Sequence, residues 1–361
     1  MVEFWRYGPT PLPMADIGRF AANMEATGWD GLAVGENNKQ PDPYAVLALV
    51  SAATTTLHVG TATAVPTRHP MLMALSMATI QGLSGGRARY SIGRGDSAVK
   101  ALQQKPMSVA DFEVFLRRLQ AYLRREEVEI EGTTSTIAGL VTVDPSLDSP
   151  KPAIDVAATG PKVIELAVRS ADSVSFAVGA DPERVGRCIE LVRTTASAID
   201  RDLADFSFGC YVQVAVTDGE NDEEARTRIR PLAMTFARFS AFEGKPLEDV
   251  GDADKVQIQR AAEALDAKFR SSGALTALPG GPPGELEFFR DKQAVDDEFI
   301  DRFAIIGSPE HCAARLQALV DLGISRILIG SRFMGTDVLE ENTARIGRDV
   351  LPRLRRTAPA A

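Results

Sequence analysis

The sequence predicts an α/β protein, a (β/α)8 TIM barrel with a helical insertion near its C-terminal third. Along the 361 residues, short apolar segments alternate with amphipathic segments that have the helical period. Eight such pairs can be counted, and strand–helix–strand connections of this kind join parallel strands. Eight parallel units favour a closed barrel over an open doubly wound sheet.

Each predicted strand is a short, mostly apolar run. In chain order the strands are Val2–Tyr7, Asp30–Gly35, Leu57–Thr63, Ala88–Ile92, Pro152–Ala158, Ser173–Val178, Phe208–Val216 and Arg326–Gly330. The segments between them carry apolar residues on one helical face. These predicted helices are Ala15–Thr27, Pro43–Thr54, Pro70–Gly82, Val109–Arg124, Pro161–Ser170, Pro182–Ile199, Pro309–Leu322 and Val338–Arg355.

Two segments interrupt the alternation of strands and helices. Val128–Val143 alternates apolar and polar residues and predicts a small hairpin. The charged segment 219–300 predicts a helical insertion, and its Gly/Pro-rich loop Ala277–Glu285 is a candidate lid, a dimer contact or a disordered surface loop. The whole chain, 1–361, is predicted to be one domain, because barrels of this length are common.

Composition excludes several classes of protein. The formal net charge of −9, with no basic face to offset it, argues against a nucleic-acid partner. The three cysteines are far apart and form no CxxC pair, which indicates a reducing, cytoplasmic compartment. No apolar run is long enough to span a membrane. The three histidines are too scattered to predict a metal site.

In a TIM barrel the active site lies at the C-terminal ends of the strands. The second strand ends at Gly35 and is followed by Glu36 and Asn37. A carboxylate there either holds and relays a proton or serves as a surface acid or helix cap. Small residues at the end of the third strand allow a flat ligand to approach the backbone. Nearby His69 is an acid–base candidate, although a water-facing loop histidine is the favoured interpretation.

Two neighbouring strand ends resemble anion-binding turns. Gly93, Arg94, Gly95 and Asp96 follow the fourth strand, and glycine N–H groups beside a guanidinium suit a phosphate. The match to a dinucleotide-binding GxGxxG motif fails at Ala98.

Ala158, Thr159, Gly160 and Pro161 follow the fifth strand, with Thr159 a candidate N-cap and Pro161 near the first helical position. Their alternative interpretation is a simple helix cap. After the eighth strand, Arg332 either meets an anionic ligand or forms a surface ion pair.

Three segments together resemble the bacterial luciferase-like superfamily of flavin- and deazaflavin-dependent oxidoreductases. They are LSGGRARYSIGRGDS (Leu83–Ser97), AATGPKVIELAVRSADSVSF (Ala157–Phe176) and FAIIGSPEHCAARLQALVDLGISRILIG (Phe303–Gly330). The resemblance covers most of the chain. Within the superfamily the chain is most similar to the methylene-tetrahydromethanopterin reductase type, whose cofactor is the deazaflavin coenzyme F-420.

The resemblance implies roles for individual residues. It implies a non-prolyl cis peptide between Ala62 and Thr63, behind the cofactor ring. It also implies that Gly93–Asp96 and Ala158–Pro161 contact the phosphate side of the cofactor. Glu36 would be the catalytic acid or base. Asn37 stands where relatives often have histidine, so a histidine relay is in doubt and Asn37 becomes a hydrogen-bond donor.

The implied function is hydride transfer between reduced coenzyme F-420 and a small organic substrate. Arg94 leaves an alternative open, because the luciferases have an arginine in a comparable turn that meets the phosphate of FMN. The alternative is a two-component monooxygenase that uses reduced FMN, oxygen and a separate flavin reductase. A third hypothesis is a non-catalytic flavin-binding barrel. The family also implies a homodimer.

Overall fold

The structure is a computed structural model that describes residues 2–8, 12–37, 40–95, 98–99, 102–240, 263, 296–330 and 336–356. Its strands are β1 Glu3–Tyr7, β2 Gly31–Val34, β3 His58–Ala64, β4 Ala88–Ile92, β5 Val128–Ile130, β6 Thr133–Ser135, β7 Ala153–Ala158, β8 Ser173–Phe176, β9 Ser207–Val216, β10 Ala304–Gly307 and β11 Arg326–Gly330.

Eight of these strands close into a parallel barrel in the order β1-β2-β3-β4-β7-β8-β9-β11, which confirms the predicted TIM barrel. The ring is completed where β8 pairs with β9 and where β11 pairs with β1. All eight predicted barrel strands are present, with ends that differ by at most two residues. The carboxyl ends of the strands therefore meet at one mouth.

Helices surround the barrel. They are α1 Ile17–Ala26, α2 Pro43–Ala53, α3 Pro70–Leu83, α4 Val109–Leu123, α5 Leu140–Val143, α6 Pro161–Ser170, α7 Pro182–Ala198, α8 Asp222–Ser240, α9 Asp297–Phe303, α10 Pro309–Asp321, α11 Thr336–Arg345 and α12 Leu351–Arg356. A π-helical turn, Ile346–Val350, joins α11 to α12. Helices α8 and α9 lie in or overlap the predicted insertion, whose Gly/Pro-rich loop is outside the described residues.

One local prediction was only partly correct, and one strand was not predicted. Of the predicted hairpin, only β5 and β6 pair with each other, and Leu140–Val143 forms a helical turn. Strand β10 was not predicted as a strand, and it pairs with β9 from Gln213 to Val216. Strand β10 directly follows the predicted insertion, outside the eight counted strand–helix pairs.

Side chains alternate between two environments along each barrel strand. In β9, Val212 and Val214 belong to the apolar layer between barrel and helices, whereas Tyr211 and Gln213 face the barrel interior. The interior is therefore more polar than the helix-facing layer. It contains the buried ion pair Arg326–Asp155, whose nitrogen and oxygen are 2.7 Å apart.

Glycines make room for the largest side chain inside the barrel. Trp5 is 2% exposed, and its indole lies against Gly31, where a Cβ atom would overlap the ring. A Cβ on Gly60 would overlap the carbonyl oxygen of Arg89 and would also approach Trp5. His58 stacks on the indole from the lower end of the barrel, at a centroid distance of 5.7 Å.

We predict that Gly60→Ala destabilises the protein by at least about 2 kcal/mol, because the added methyl meets backbone that cannot move aside. Gly186→Ala is the matched control. Gly186 lies inside α7, and an added Cβ there would have no neighbouring atom within 4 Å. That control is expected to stabilise the helix by about 0.5–1 kcal/mol. Urea unfolding measures both variants, and equal stabilities would contradict the packing argument.

Candidate active site

The mouth is organised around an irregular residue in β3. The peptide bond between Ala62 and Thr63 is cis, as predicted. Pairing with β4 runs through Ala62 and resumes at Ala64, so Thr63 is skipped. The skipped segment is bound from both sides, because the N–H of Glu36 donates to the carbonyl of Thr63 at 3.0 Å and that of Gly93 donates to Ala64 at 3.0 Å. Ala62 and Thr63 are partly exposed at the mouth.

The carboxylate of Glu36 is held by two groups of the loop that follows β3. One oxygen, Oε2, accepts the N–H of Val65 at 3.0 Å, and Oε1 accepts Nε–H of Arg68 at 3.0 Å. The side chain is 12% exposed. Both partners are donors, so the carboxylate is the acceptor in each contact. Each carboxylate oxygen retains a further lone pair for another donor.

Arg68 connects Glu36 to the start of α2. Its guanidinium also pairs with Asp42, which is the N-cap of α2, and it stacks over the ring of Tyr44 at 4.9 Å. Burial alone would raise the pKa of Asp42, but the hydrogen bond from Arg68 and the helix N–H groups lower it. Burial, and then the charge of Glu36, raise the pKa of Tyr44, so its hydroxyl stays protonated. This pairing of Arg68 was not predicted from the sequence.

Gly35 and Asn37 flank Glu36. A Cβ on Gly35 would lie 3.2 Å from the carbonyl oxygen of Ala62 and 3.9 Å from Nδ2 of Asn37. Glycine therefore allows the end of β2 to lie close against the cis peptide segment. Asn37 is partly exposed beside it. Its role as a hydrogen-bond donor to a ligand stays a prediction.

The turn after β4 is built from glycine at two points. Gly93 packs against Thr63, whose Oγ1 would lie 3.4 Å from an added Cβ. Gly95 has φ +88°, a conformation that favours glycine, and it packs tightly on Val99. Arg94 between them donates from Nε to the carbonyl of Met107 at 2.6 Å, which ties the turn to the segment before α4. The predicted site residue Asp96 lies outside the described residues.

The turn after β7 opens directly into α6. Pro161 is at the first helical position, as predicted, but the N-cap is Gly160 and not Thr159. No side chain caps this helix, and nothing lies within 4 Å of a Cβ at Gly160. A helix N-terminus without a side-chain cap suits an anion. The side chain of Ala158 is fully buried on the helix-facing side, so only its backbone can contribute at the mouth.

The predicted cofactor residues come together because β3, β4 and β7 are consecutive neighbours in the barrel. Small side chains, a glycine turn and an open helix N-terminus fit a flat ring that carries an anionic tail. His69 is exposed and its Nδ1 accepts the N–H of Met71 as the N-cap of α3, which agrees with the favoured loop interpretation. Arg332 lies outside the described residues.

A polar cluster inside the barrel was not predicted from the sequence. Tyr211 donates to Oγ of Ser91 at 2.7 Å, and its ring packs edge-on against Tyr7 at 5.0 Å. Gln213 donates to the hydroxyl of Tyr7. The signal available in the sequence was the polar pair Tyr211 and Gln213 at alternate positions of an otherwise apolar strand.

Two features are absent from the described part of the chain. Within those ranges, no three or more His, Cys, Asp or Glu side chains are grouped as metal ligands. Among the same residues, no helix is both long and apolar enough to cross a bilayer.

The fold and the site define a class of protein, the α/β barrels whose ligand site lies at the carboxyl ends of the strands. The sequence profile described as luciferase-like monooxygenase matches residues 3–326, and the chain belongs to this family. It is 25% identical over 327 residues to a 5,10-methylenetetrahydromethanopterin reductase of Methanolobus tindarius, covering 88% of this chain and 91% of the relative.

Two solved structures share the fold. The coenzyme F420-dependent tetrahydromethanopterin reductase of Methanopyrus kandleri superposes with a TM-score of 0.72 at 18% identity, covering 98% of this chain and 99% of that one. The oxygenating constituent of 3,6-diketocamphane monooxygenase of Pseudomonas putida, in complex with FMN, gives a TM-score of 0.64 at 16% identity and covers 98% of each chain. The chain is thus a luciferase-like oxidoreductase.

Proposed function

We propose that this oxidoreductase transfers a hydride between the deazaflavin coenzyme F-420 and a small organic substrate. The observation that carries the proposal is the irregular end of β3, where Thr63 is skipped in the pairing with β4 and the segment is held between Glu36 and Gly93 at the mouth. The relatedness to a methylenetetrahydromethanopterin reductase over most of both chains supports the deazaflavin. When bound, the cofactor would supply the hydride carrier, and the protein supplies orientation and a water-poor site.

The residues of the mouth divide the binding of the cofactor between them. Ala62 and Thr63 would form the surface behind the ring. Gly93, Arg94, Gly95 and Asp96 would contact the phosphate side, together with Ala158, Thr159, Gly160 and Pro161. Because Gly160 leaves the N-terminus of α6 open, the helix dipole and backbone N–H groups are available to an anion there.

Glu36 would act as the proton acceptor in this reaction, and Asn37 as a hydrogen-bond donor to the substrate. The geometry favours acceptance over donation, because Val65 and Arg68 both donate to the Glu36 carboxylate. In the reductive direction the same carboxylate would have to be protonated first.

A second candidate function is the FMN-dependent two-component monooxygenase, with a separate flavin reductase as partner. Arg94 in the β4 turn favours it, since a guanidinium suits the phosphate of FMN. Its Nε already donates to Met107, so this arginine has less of its donor edge left for a phosphate. A non-catalytic flavin-binding barrel is the third possibility.

Titration of the purified protein with each cofactor tests the choice. We expect coenzyme F-420 to bind with micromolar or tighter affinity, followed by its fluorescence, and FMN to bind more weakly. Micromolar binding of FMN with no binding of coenzyme F-420 would contradict the proposal, and oxygen consumption with reduced FMN would then establish the second candidate. Binding of either cofactor with no turnover of any substrate tried would favour the third.

We predict that Glu36→Gln lowers kcat/KM by roughly 10²–10⁴-fold while cofactor affinity stays nearly unchanged. The matched control is Asp42→Asn, which removes the other carboxylate partner of Arg68 but keeps an N-cap for α2. If Glu36→Gln keeps its activity, Glu36 only fixes the loop after β3.

We further propose a homodimer formed through the outer faces of α2 and α3. Neither helix contains a charged residue, and helices that are apolar all round are normally buried. Leu49 on α2 is 42% exposed, and Leu72 on α3 is 53% exposed.

We also propose a cytoplasmic location for the protein. Its three cysteines are free and buried, which supports a reducing compartment.

Light scattering tests the dimer. The wild-type protein is expected to have the mass of two chains, and Leu72→Glu is expected to shift it to one chain by burying a charge in the interface. Ile199→Glu, at a residue just beyond α7 that is 46% exposed, is the control and should remain dimeric. A wild-type monomer, or an unchanged mass for Leu72→Glu, would contradict the proposed interface.

A further inference from the structure

The barrel interior contains a buried amide oxygen that no group of the described residues satisfies. Gln213 is 2% exposed, and its Oε1 has no hydrogen-bond partner among the described residues. An unpaired buried acceptor costs about 1–3 kcal/mol, and most such groups in folded proteins have a partner. This atom is therefore a candidate acceptor for a hydrogen bond from a ligand.

The orientation of the amide is fixed. Its Nε2 donates to the hydroxyl of Tyr7 and to the carbonyl of Val212 at 3.3 Å. The Val212 carbonyl is an acceptor only, so the atom facing it must be the amide nitrogen. Rotating the amide would place two acceptors against each other, which leaves Oε1 as the unsatisfied atom.

The position of Gln213 is on the wall of the barrel opposite the cis peptide. Gln213 is paired in register with Gly330, the last residue of β11, and Gly330 is paired with Tyr7, the last residue of β1. A Cβ on Gly330 would overlap Nε2 of Gln213 and the ring of Tyr7. In the barrel order β9 lies four strands from β3 in either direction. The Gln213–Tyr7 pair thus lies at the mouth end, across from Ala62–Thr63.

We infer that Gln213 is a binding residue for the cofactor ring, whose pyrimidine imide N–H donates to Oε1. The inference rests on the proposed function, in that it requires a flavin-type ring. Flavins and deazaflavins share this imide N–H, so the inference holds for either cofactor. The ring would be bound on one wall by the small residues of β3 and on the other by the amide of Gln213.

The test compares dissociation constants for matched ligands without substrate. The ligands are coenzyme F-420 and FMN, each alongside its derivative methylated at the imide nitrogen, titrated by fluorescence. In the wild-type protein, methylation should weaken binding about tenfold, as expected for loss of one hydrogen bond to a buried acceptor. In Gln213→Met the ratio should fall to about one, because the acceptor is gone.

One further variant separates hydrogen bonding from general damage to the barrel. Tyr211→Phe removes a neighbouring hydroxyl that is already bound to Ser91, and it should keep the wild-type ratio. Because each ratio is taken within one variant, an overall loss of affinity cancels.

Three results would overturn the inference. The wild-type protein could bind the methylated rings as tightly as the parents, or Gln213→Met could keep the discrimination. Both results leave the proposed function intact, because the cofactor still binds. Failure of the wild-type protein to bind either parent cofactor would overturn the proposed function and this inference together. If Gln213→Met does not fold, Gln213→Asn, which withdraws the oxygen, should lose the discrimination.

Discussion

The candidate site depends on one irregularity, the residue that β3 skips in its pairing with β4. Thr63 sits outside the regular register, and the strands on both sides supply backbone donors to that segment. Those donors belong to Glu36 and Gly93, which lie in the loops that form the mouth. The same hydrogen bonds that hold the irregular backbone therefore also position the candidate acid–base residue and the glycine turn.

Much of the fold could be predicted because barrel strands that are covered by helices on one face are nearly continuous apolar runs. The exceptions have physical reasons. β10 directly follows the predicted insertion, and its strand character comes from pairing with the C-terminal part of β9. Thr159 is a good N-cap by residue type, yet the chain turns one residue later, at Gly160. The N-cap preference of a single residue therefore does not determine at which residue the helix begins.

The ionic contacts of the site could not be predicted from the sequence. In the sequence Arg68 is only a residue near the rim, but in the fold it joins Glu36 to Asp42 across two loops. The pair Asp155–Arg326 is still less accessible from the sequence, because β7 and β11 are brought near each other only when β8 pairs with β9 and closes the barrel. Ser173 and Ser175 also donate to Oδ1 of Asp155 in this buried cluster.

In the proposed site, the two walls of the mouth would contact the cofactor by different means. On the β3–β4–β7 wall the contacts would be backbone groups and small residues, which accept any flat ring of suitable size. On the β9–β11–β1 wall the amide of Gln213 would meet a group that flavins and deazaflavins share. Neither wall separates the two ring systems, so discrimination must come from the tail of the cofactor. Arg94, in the turn after β4, is the charged residue proposed to contact that tail. Its hydrogen bond to the carbonyl of Met107 limits the direction in which its guanidinium can point.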